Sequence, residues 1–182
     1  MHSAKIQRTR ILVQQGDIAM ALVDVIVSPD TTDIWMQKGT ASAIAHACKV
    51  PIREEIDVPR PIPIGEVVMT SGGNLPARNI FHVPIMHPDD EETDRSKVII
   101  ALNGILRKME DMKLSSIAFP AFGSATARFP YDVCAKVMLG NVFDYLFNRT
   151  SHIEVVAFVL YNLRAYEEFV KTFNSLKQVY MC

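Results

Sequence analysis

Residues 115–130 read Ser-Ser-Ile-Ala-Phe-Pro-Ala-Phe-Gly-Ser-Ala-Thr-Ala-Arg-Phe-Pro. The apolar run 117–119 predicts a buried strand that ends at Pro120, and Pro130 is typical of the first turn of a helix. A loop between a strand and the next helix lies where ligands of α/β proteins usually bind. Its small residues let backbone N–H groups approach an anion closely, so the stretch predicts a phosphate-binding loop. A strand-to-helix loop that binds nothing has the same pattern, and this alternative stays open.

Strand-like and helix-like segments alternate outward from this stretch. Short β-branched runs predict buried strands, and apolar residues spaced by three or four predict helices. Pro29 is expected to end the second strand, because proline cannot donate to a sheet ladder. The alternation predicts one three-layer α/β/α domain over residues 1–182, with its core at about 11–176 and a mixed, mainly parallel central sheet. The other predicted strands are 11–13, 23–27, 66–69, 80–83 and 155–160, and the predicted helices are 40–49, one that Ser96 caps and that buries Val98, Leu102, Ile105 and Met109, one through Ala135, Met138, Leu139, Val142 and Leu146, and one through 166–173.

Two connections are predicted to lie at the surface. Residues 51–63 hold four prolines among charged residues, which indicates an irregular connection. Residues 86–95 are rich in aspartate and glutamate, which indicates a solvated acidic loop.

The composition limits the possible functions. The chain has 182 residues, of which 49% are hydrophobic and 21% charged, and its net charge of −1 gives no general reason to expect a nucleic acid or a membrane as partner. Cys48, Cys134 and Cys182 are widely spaced, which favours reduced thiols over a disulfide framework. The five histidines lack ligand spacing, so neither a metal nor a cofactor is predicted. Without a signal peptide or a long apolar run, the chain is predicted to be soluble and cytoplasmic.

Seven short segments, in a fixed order, resemble the macrodomain family. They are Gly-Asp-Ile at 16–18, Val-Asp-Val-Ile-Val at 23–27, Gly-Glu-Val-Val-Met-Thr at 65–70, Asn-Leu-Pro-Ala-Arg at 74–78, Phe-His-Val at 81–83, Ser-Ile-Ala-Phe-Pro-Ala at 116–121 and Val-Leu-Tyr at 159–161. The resemblance implies an α/β/α module that binds ADP-ribose and related nucleotides.

The resemblance assigns the adenine end of the ligand to Asp17, Ile18 and Tyr161. Asp17 matches the family aspartate that recognises the adenine amino group, and a carboxylate suits this role because it accepts from an N–H2 group. Tyr161 matches an aromatic residue that lies against the adenine ring. From the residues alone, Asp17 is equally a turn residue or a helix cap, and Tyr161 an ordinary tyrosine at the end of a strand.

Three family motifs are altered. The family's Asn-Ala-Ala-Asn, whose asparagines hold the ribose in its hydrolases, is Ser-Pro-Asp-Thr at 28–31, and its Gly-Gly-Gly is Gln-Lys-Gly at 37–39. A glycine lets the backbone approach a ligand without a Cβ in between. Lys38 offers a charge to a phosphate or is simply a solvated lysine.

The family's Ser-Thr-Gly-x-x-Gly is Gly-Ser-Ala-Thr-Ala-Arg at 123–128. Its small residues still allow a phosphate cradle, and Arg128 either contacts the phosphate or covers the rim. The ligand-binding residues that the resemblance and the loops suggest are Asp17, Ile18, Thr31, Lys38, Gly39, Phe122, Gly123, Ser124, Ala125, Thr126, Ala127, Arg128 and Tyr161.

Three functions follow as hypotheses. The first is a module that binds ADP-ribose, a related adenine nucleotide or an ADP-ribosylated protein. The second is a degenerate macrodomain that acts in protein interaction or homo-oligomerisation, because Trp35 and Met36 are large apolar residues in a loop. The third is an ADP-ribosyl hydrolase or ADP-ribose 1''-phosphate phosphatase, with Asp30 and His82 as the catalytic candidates. Because both family asparagines are absent, binding is favoured over catalysis.

Overall fold

Seven strands form one mixed sheet in the computed structural model, which describes residues 1–90, 92–123 and 128–181. The strand order across the sheet is β1-β2-β7-β6-β3-β5-β4. The strands are β1 His2–Ile6, β2 Thr9–Gln15, β3 Val25–Thr31, β4 Val68–Ser71, β5 Asn79–Met86, β6 Ser116–Phe119 and β7 Val155–Leu160, and the helices are α1 Gly39–Cys48, α2 Arg95–Asp111, α3 Tyr131–Asn148 and α4 Leu163–Tyr180, with short 3-10 helices at Ile18–Met20 and Ile52–Glu55.

The five inner strands are parallel. β2, β7, β6, β3 and β5 pair in parallel, whereas the edge strands β1 and β4 pair antiparallel to β2 and β5. Parallel strands are buried on both faces and therefore read as continuous apolar runs, which is why the sequence pattern found them. The predicted mixed, mainly parallel α/β fold is confirmed.

The two faces of the sheet carry cores of different composition. On one face, Phe119 and Phe158 stack at 5.5 Å and pack with residues of α2, α3 and α4. On the other face the same two strands present Ala118 and Ala157, which pack in the core that α1 and the 3-10 helices cover. Successive side chains of a strand point to opposite faces, so Ala118 and Phe119 lie on opposite sides of the sheet, as do Ala157 and Phe158.

Strand β3 is longer than the sequence predicted. It continues through Pro29 to Thr31, whereas the proline was expected to end it. The reason is that β6 pairs with β3 only at Val25 and Ile26. At Pro29, therefore, β3 has a single strand neighbour, which is β5. A proline is tolerated in such an edge-like position.

Three other predicted details differ from the structure. Asp94, not Ser96, caps α2, and its carboxylate accepts from the Lys97 backbone N–H at 3.0 Å. β4 lies two residues later than predicted, at Val68–Ser71. The connection 51–63 is not only surface, because it buries Ile52, Ile56 and Ile62 in the core on the α1 side.

The start of β3 is held to the start of β6 by Asp24. Its Oδ2 atom accepts from the backbone N–H groups and the hydroxyls of Ser115 and Ser116 at 2.8–3.0 Å. Burial raises the pKa of the Asp24 carboxyl, but these hydrogen bonds outweigh burial and the net pKa is lowered. The carboxylate therefore stabilises the fold in its charged form.

Helix α2 packs closely on the segment before β4. A Cβ atom on Gly104 would lie 2.1 Å from the Gly65 carbonyl oxygen, so only glycine fits at this point of the helix. None of the helices in the described part of the chain is long and apolar enough to cross a membrane.

Candidate functional site

A cleft of about 540 Å³, here called the main cleft, opens at the carboxyl ends of β2, β6 and β7. Ligands of α/β proteins usually bind at this edge of the sheet. The walls combine polar and apolar groups from the loop after β2, the starts of α1, α3 and α4, and the ends of β6 and β7. Its lining includes Asp17, Gly39, Thr40, Tyr131, Tyr161 and Asn162.

The N-termini of α1 and α3 open into the main cleft, and the residue before each helix provides no side-chain cap. α1 begins at Gly39 and α3 at Tyr131, and neither of the preceding residues, Lys38 and Pro130, caps its helix with a side-chain hydrogen bond. Their first-turn N–H groups are therefore not satisfied by a side chain of the cap residue. A helix N-terminus also carries partial positive charge, so this part of the cleft favours an anion.

Asp17 is both a cap and a cleft residue. Its Oδ1 atom accepts from the Ala19 N–H at 2.9 Å and so caps the 3-10 helix Ile18–Met20. Its Oδ2 atom makes no hydrogen bond with the described residues, while the side chain lines the cleft and Ile18 beside it is buried. Asp17 can therefore cap its helix and still accept a hydrogen bond from a ligand.

Tyr161 follows β7 and lies at the mouth of the main cleft. It is 84% exposed, which leaves much of its ring accessible to a ligand. The next residue, Asn162, caps α4 by accepting from the N–H groups of Arg164 and Ala165 at 2.9 and 3.4 Å. This cap holds the backbone next to Tyr161 in place.

A second cavity of about 290 Å³, here called the side cavity, adjoins the main cleft. Gln37 and Lys38 line the side cavity, and the next residue, Gly39, lines the main cleft. Asp30 and Thr31, at the end of β3, also face the side cavity. The predicted residues Thr31 and Lys38 are therefore separated from Asp17 and Tyr161.

Asp30 holds the loop that follows β3. Its Oδ1 and Oδ2 atoms accept from the Thr31 and Met36 N–H groups at 2.7 and 2.6 Å. Burial raises the pKa of the Asp30 carboxyl, and these two hydrogen bonds together with the charge of Arg53 oppose that rise. The loop needs this support because Ile34 and Met36 have φ angles of 48° and 52°, which side chains rarely adopt.

Trp35 and Met36 occupy different environments within this loop. Met36 is buried in the core on the α1 side. Trp35 is 45% exposed, donates to Asp33 Oδ2 at 3.2 Å and lies beneath the Arg53 guanidinium at 4.7 Å. The side chain of Trp35 thus forms an anchored wall of the side cavity.

The loop after β6 is described only in part. Phe122 is buried in the core beside Phe119, and Gly123, with φ 69°, accepts from the Phe129 N–H at 3.1 Å. Arg128 is exposed and has a φ of 47°. The predicted ligand residues Ser124, Ala125, Thr126 and Ala127 lie outside the described residues, as do Glu91 and Cys182.

His82 lies in β5 and lines neither the main cleft nor the side cavity. It is fully buried, and a hydrogen bond of 2.8 Å joins its Nε2 atom to the Thr70 hydroxyl. Burial lowers the pKa of His82 to about 4, although the charge of Glu55 opposes this effect. The imidazole is therefore neutral at physiological pH.

The sequence of the chain matches the family model for the macro domain over residues 27–138. This chain belongs to the macro domain family. The macrodomain is 32% identical over 169 residues to a protein from Sulfolobus acidocaldarius, with 91% of each chain covered. It is 30% identical over 175 residues to a macro domain-containing protein from Caldanaerobacter subterraneus, which covers 93% of this chain and 98% of the relative.

Solved macrodomains share the fold. A mutant of the Oceanobacillus iheyensis macrodomain is 26% identical, covers 97% of both chains and has a TM-score of 0.84. A second mutant of that protein, with ADPR, has a TM-score of 0.85 at 24% identity and covers 97% of this chain and 98% of its own. The Trypanosoma brucei macrodomain in complex with ADP-ribose has a TM-score of 0.81 at 19% identity, over 92% of this chain and 69% of its own.

Sequence reasoning missed several cleft residues of this macrodomain. Thr40 and Tyr131 line the cleft from the starts of α1 and α3, and Asn162 does so from the start of α4. Asn162 carried a readable signal, because asparagine before a helical stripe is a preferred cap. Within the described residues, no three His, Cys, Asp or Glu side chains come together as a metal site.

Proposed function

We propose that this macrodomain binds ADP-ribose or a related adenine nucleotide in the main cleft. The observation that carries the proposal is that one cleft brings together Asp17, the exposed ring of Tyr161 and the starts of α1 and α3, where Lys38 and Pro130 provide no side-chain cap. Its volume of about 540 Å³ lies within the range of about 300–1,000 Å³ usual for ligand pockets.

Each part of the cleft suits a different part of the nucleotide. The Oδ2 atom of Asp17 accepts from the adenine amino group, and Tyr161 stacks on the adenine ring. Stacking of a base on an aromatic side chain contributes about 1–3 kcal/mol. The diphosphate lies at the starts of α1 and α3, where N–H groups and the helix dipoles stabilise negative charge.

The altered glycine motif at 37–39 is compatible with this mode of binding. Gly39, which the chain retains, is the residue of this motif that lines the main cleft, while Gln37 and Lys38 line the side cavity. The two replacing side chains therefore have room outside the main cleft. Lys38→Ala is expected to change nucleotide affinity much less than a substitution of Asp17.

Calorimetric titration with ADP-ribose, ADP, AMP and GDP-ribose tests the proposal. Asp17→Ala removes the hydrogen bond to the nucleotide, and a hydrogen bond to a charged group contributes about 1.5–3 kcal/mol, so affinity is expected to fall roughly 10- to 150-fold. Asp17→Ser is the matched control, because serine retains the capping function but not the free carboxylate oxygen. It is expected to lose affinity as Asp17→Ala does.

Two results would contradict the proposal. The absence of heat with all four ligands for the wild-type protein would show that the main cleft does not take these nucleotides. Wild-type affinity in both Asp17 variants would show that adenine is not recognised by this carboxylate. Preference for GDP-ribose over ADP-ribose would have the same meaning.

A further inference from the structure

A third cavity, of about 320 Å³, lies between α2 and α3 and is here called the α2–α3 cavity. Ile100, Asn103 and Arg107 line it from α2, and Tyr145 and Arg149 line it from the end of α3. Residues three or four positions apart share one face of a helix, so each helix presents a single row of side chains to this cavity.

The α2–α3 cavity is remote from the main cleft. Helix α3 begins at Tyr131 in the main cleft, and Arg149 is the residue that ends it. At a rise of 1.5 Å per residue, these two ends of the helix are about 27 Å apart. A ligand in the α2–α3 cavity would therefore not contact the main cleft.

Two arginines line this cavity, one from each helix, and neither has a carboxylate ion-pair partner among the described residues. Arg107 donates through Nε to the Asn103 carbonyl at 3.3 Å, and the Arg149 guanidinium lies over the Tyr145 ring at 4.9 Å. Within the described residues, neither arginine forms an ion pair within 4.0 Å. Each guanidinium has five N–H donors, so most of the donors of Arg107 are not used by this single hydrogen bond.

The charges of two carboxylates, Glu110 and Asp111, act on Tyr145, and Glu110 is engaged in other hydrogen bonds. Burial, followed by the charge of Glu110, raises the pKa of the Tyr145 hydroxyl, and Asp111 adds a smaller rise. The charge of Arg149 and its side-chain hydrogen bond to Tyr145 oppose this rise, so part of the Arg149 donor capacity is already used. The Glu110 carboxylate accepts from the Ser151 hydroxyl and from the His152 N–H at 3.0 Å. It therefore stabilises the loop before β7 instead of pairing with an arginine of the cavity.

We propose that the α2–α3 cavity binds a phosphoryl group, either free phosphate or a phosphate monoester. A guanidinium fork matches the oxygen geometry of a phosphate, and Arg107 and Arg149 together supply two positive charges. A phosphate monoester carries a charge of about −1.5 to −2 at neutral pH, which balances both arginines, whereas a carboxylate balances only one. Ile100 and Tyr145 provide apolar contact for the organic part of a monoester.

Side-chain and backbone ¹⁵N NMR titration of the full chain tests this proposal, with inorganic phosphate, phosphoserine and acetate as probes. Saturable shifts are expected for the Nε–Hε signals of Arg107 and Arg149 and for the backbone signals of 145–149. The double variant Arg107→Gln/Arg149→Gln is expected to bind at least about tenfold more weakly, since charged hydrogen bonds are lost. Arg10→Gln, an exposed arginine on β2, is the matched control and should bind as the wild type does.

The outcomes separate the possible sources of the phosphoryl group. Tighter binding of phosphoserine than of phosphate supports an organic phosphate, and equal binding supports free phosphate. Shifts that do not saturate, equal affinity for acetate, or unchanged binding in the double variant would each overturn the proposal. Arg149→Lys retains the charge but not the fork, so it provides a second, milder test if the double variant is not folded.

Discussion

Protonation of His82 is expected to destabilise the fold in mild acid. Burial holds the pKa of His82 at about 4 in the folded chain, against an ordinary value of 6.5. Between pH 6.5 and 4, His82 binds a proton in the unfolded chain but not in the folded chain. The stability that neutral His82 contributes to the fold is therefore complete above pH 6.5 and is lost as the pH falls towards 4. The difference of about 2.5 in pKa corresponds to about 3 kcal/mol.

Urea unfolding of the wild type and of His82→Gln, at several pH values from about 7.5 to 4.5, measures this effect. Glutamine is neutral throughout this range and can still hydrogen-bond Thr70. Between pH 7.5 and 4.5 the wild type is expected to lose about 2.5 kcal/mol more stability than His82→Gln, with a slope approaching 1.4 kcal/mol per pH unit between the two pKa values. The difference between the two proteins reports on His82 together with its electrostatic interaction with Glu55, because the remaining groups are common to both.

The matched control is His46→Gln. His46 is exposed on α1 and bonds the Ser42 carbonyl within its own helix, so this variant should keep the pH dependence of the wild type. Parallel stability curves for the wild type and His82→Gln would refute the reasoning. They would mean that His82 accepts its proton in the folded chain as readily as in the unfolded one.

Two further predictions concern stability. Asp24→Ala leaves the donors of two serines at the start of β6 unpaired and should lower the free energy of unfolding in urea by about 1–3 kcal/mol at neutral pH. Because folding lowers the pKa of Asp24, the difference in stability from the wild type should shrink below pH 3.8. An unchanged urea midpoint at neutral pH would contradict this prediction. Gly104→Ala places a Cβ atom 2.1 Å from the Gly65 carbonyl oxygen and should cost about 1–3 kcal/mol by thermal unfolding. Gly140→Ala in α3, where a Cβ meets nothing within 4 Å, is its control and should stabilise the helix by about 0.5–1 kcal/mol.

The inner strands were predictable because burial on both faces leaves a simple signal. Residues 155–160 are apolar at every position, and this follows directly from their place between β2 and β6. β1 gave no such signal, because an edge strand such as His2–Ile6 buries only alternate residues. The prediction that β3 ends at Pro29 was wrong, because the number of strand neighbours at a given residue depends on the whole sheet and not on the local sequence.

Sequence reasoning placed Asp17, Ile18, Gly39 and Tyr161 in one site, and these residues line the main cleft. Asp17 and Tyr161 follow strands whose ends meet at one edge, so the resemblance placed them together. The side cavity could not be predicted, because it depends on a loop in which Ile34 and Met36 adopt positive φ angles under the control of Asp30. No local sequence signal reports such a backbone path.

The α2–α3 cavity was also beyond sequence reasoning. Arg107 and Arg149 are 42 positions apart and come together only through the packing of two helices. Each arginine on its own is an ordinary exposed residue. A paired cationic surface of this kind is visible only in three dimensions.

The short strand β6 leaves a notch in the middle of the sheet. β6 ends at Phe119, while β3 continues to Thr31 with β5 alone beside it, so in the described residues the other edge of β3 has no strand partner beyond Ile26. Main-chain N–H and C=O groups are the same whatever side chain a position carries. Side chains along β3 can therefore change without altering its main-chain groups, and Pro29 is the one residue from Ser28 to Thr31 that lacks an N–H donor.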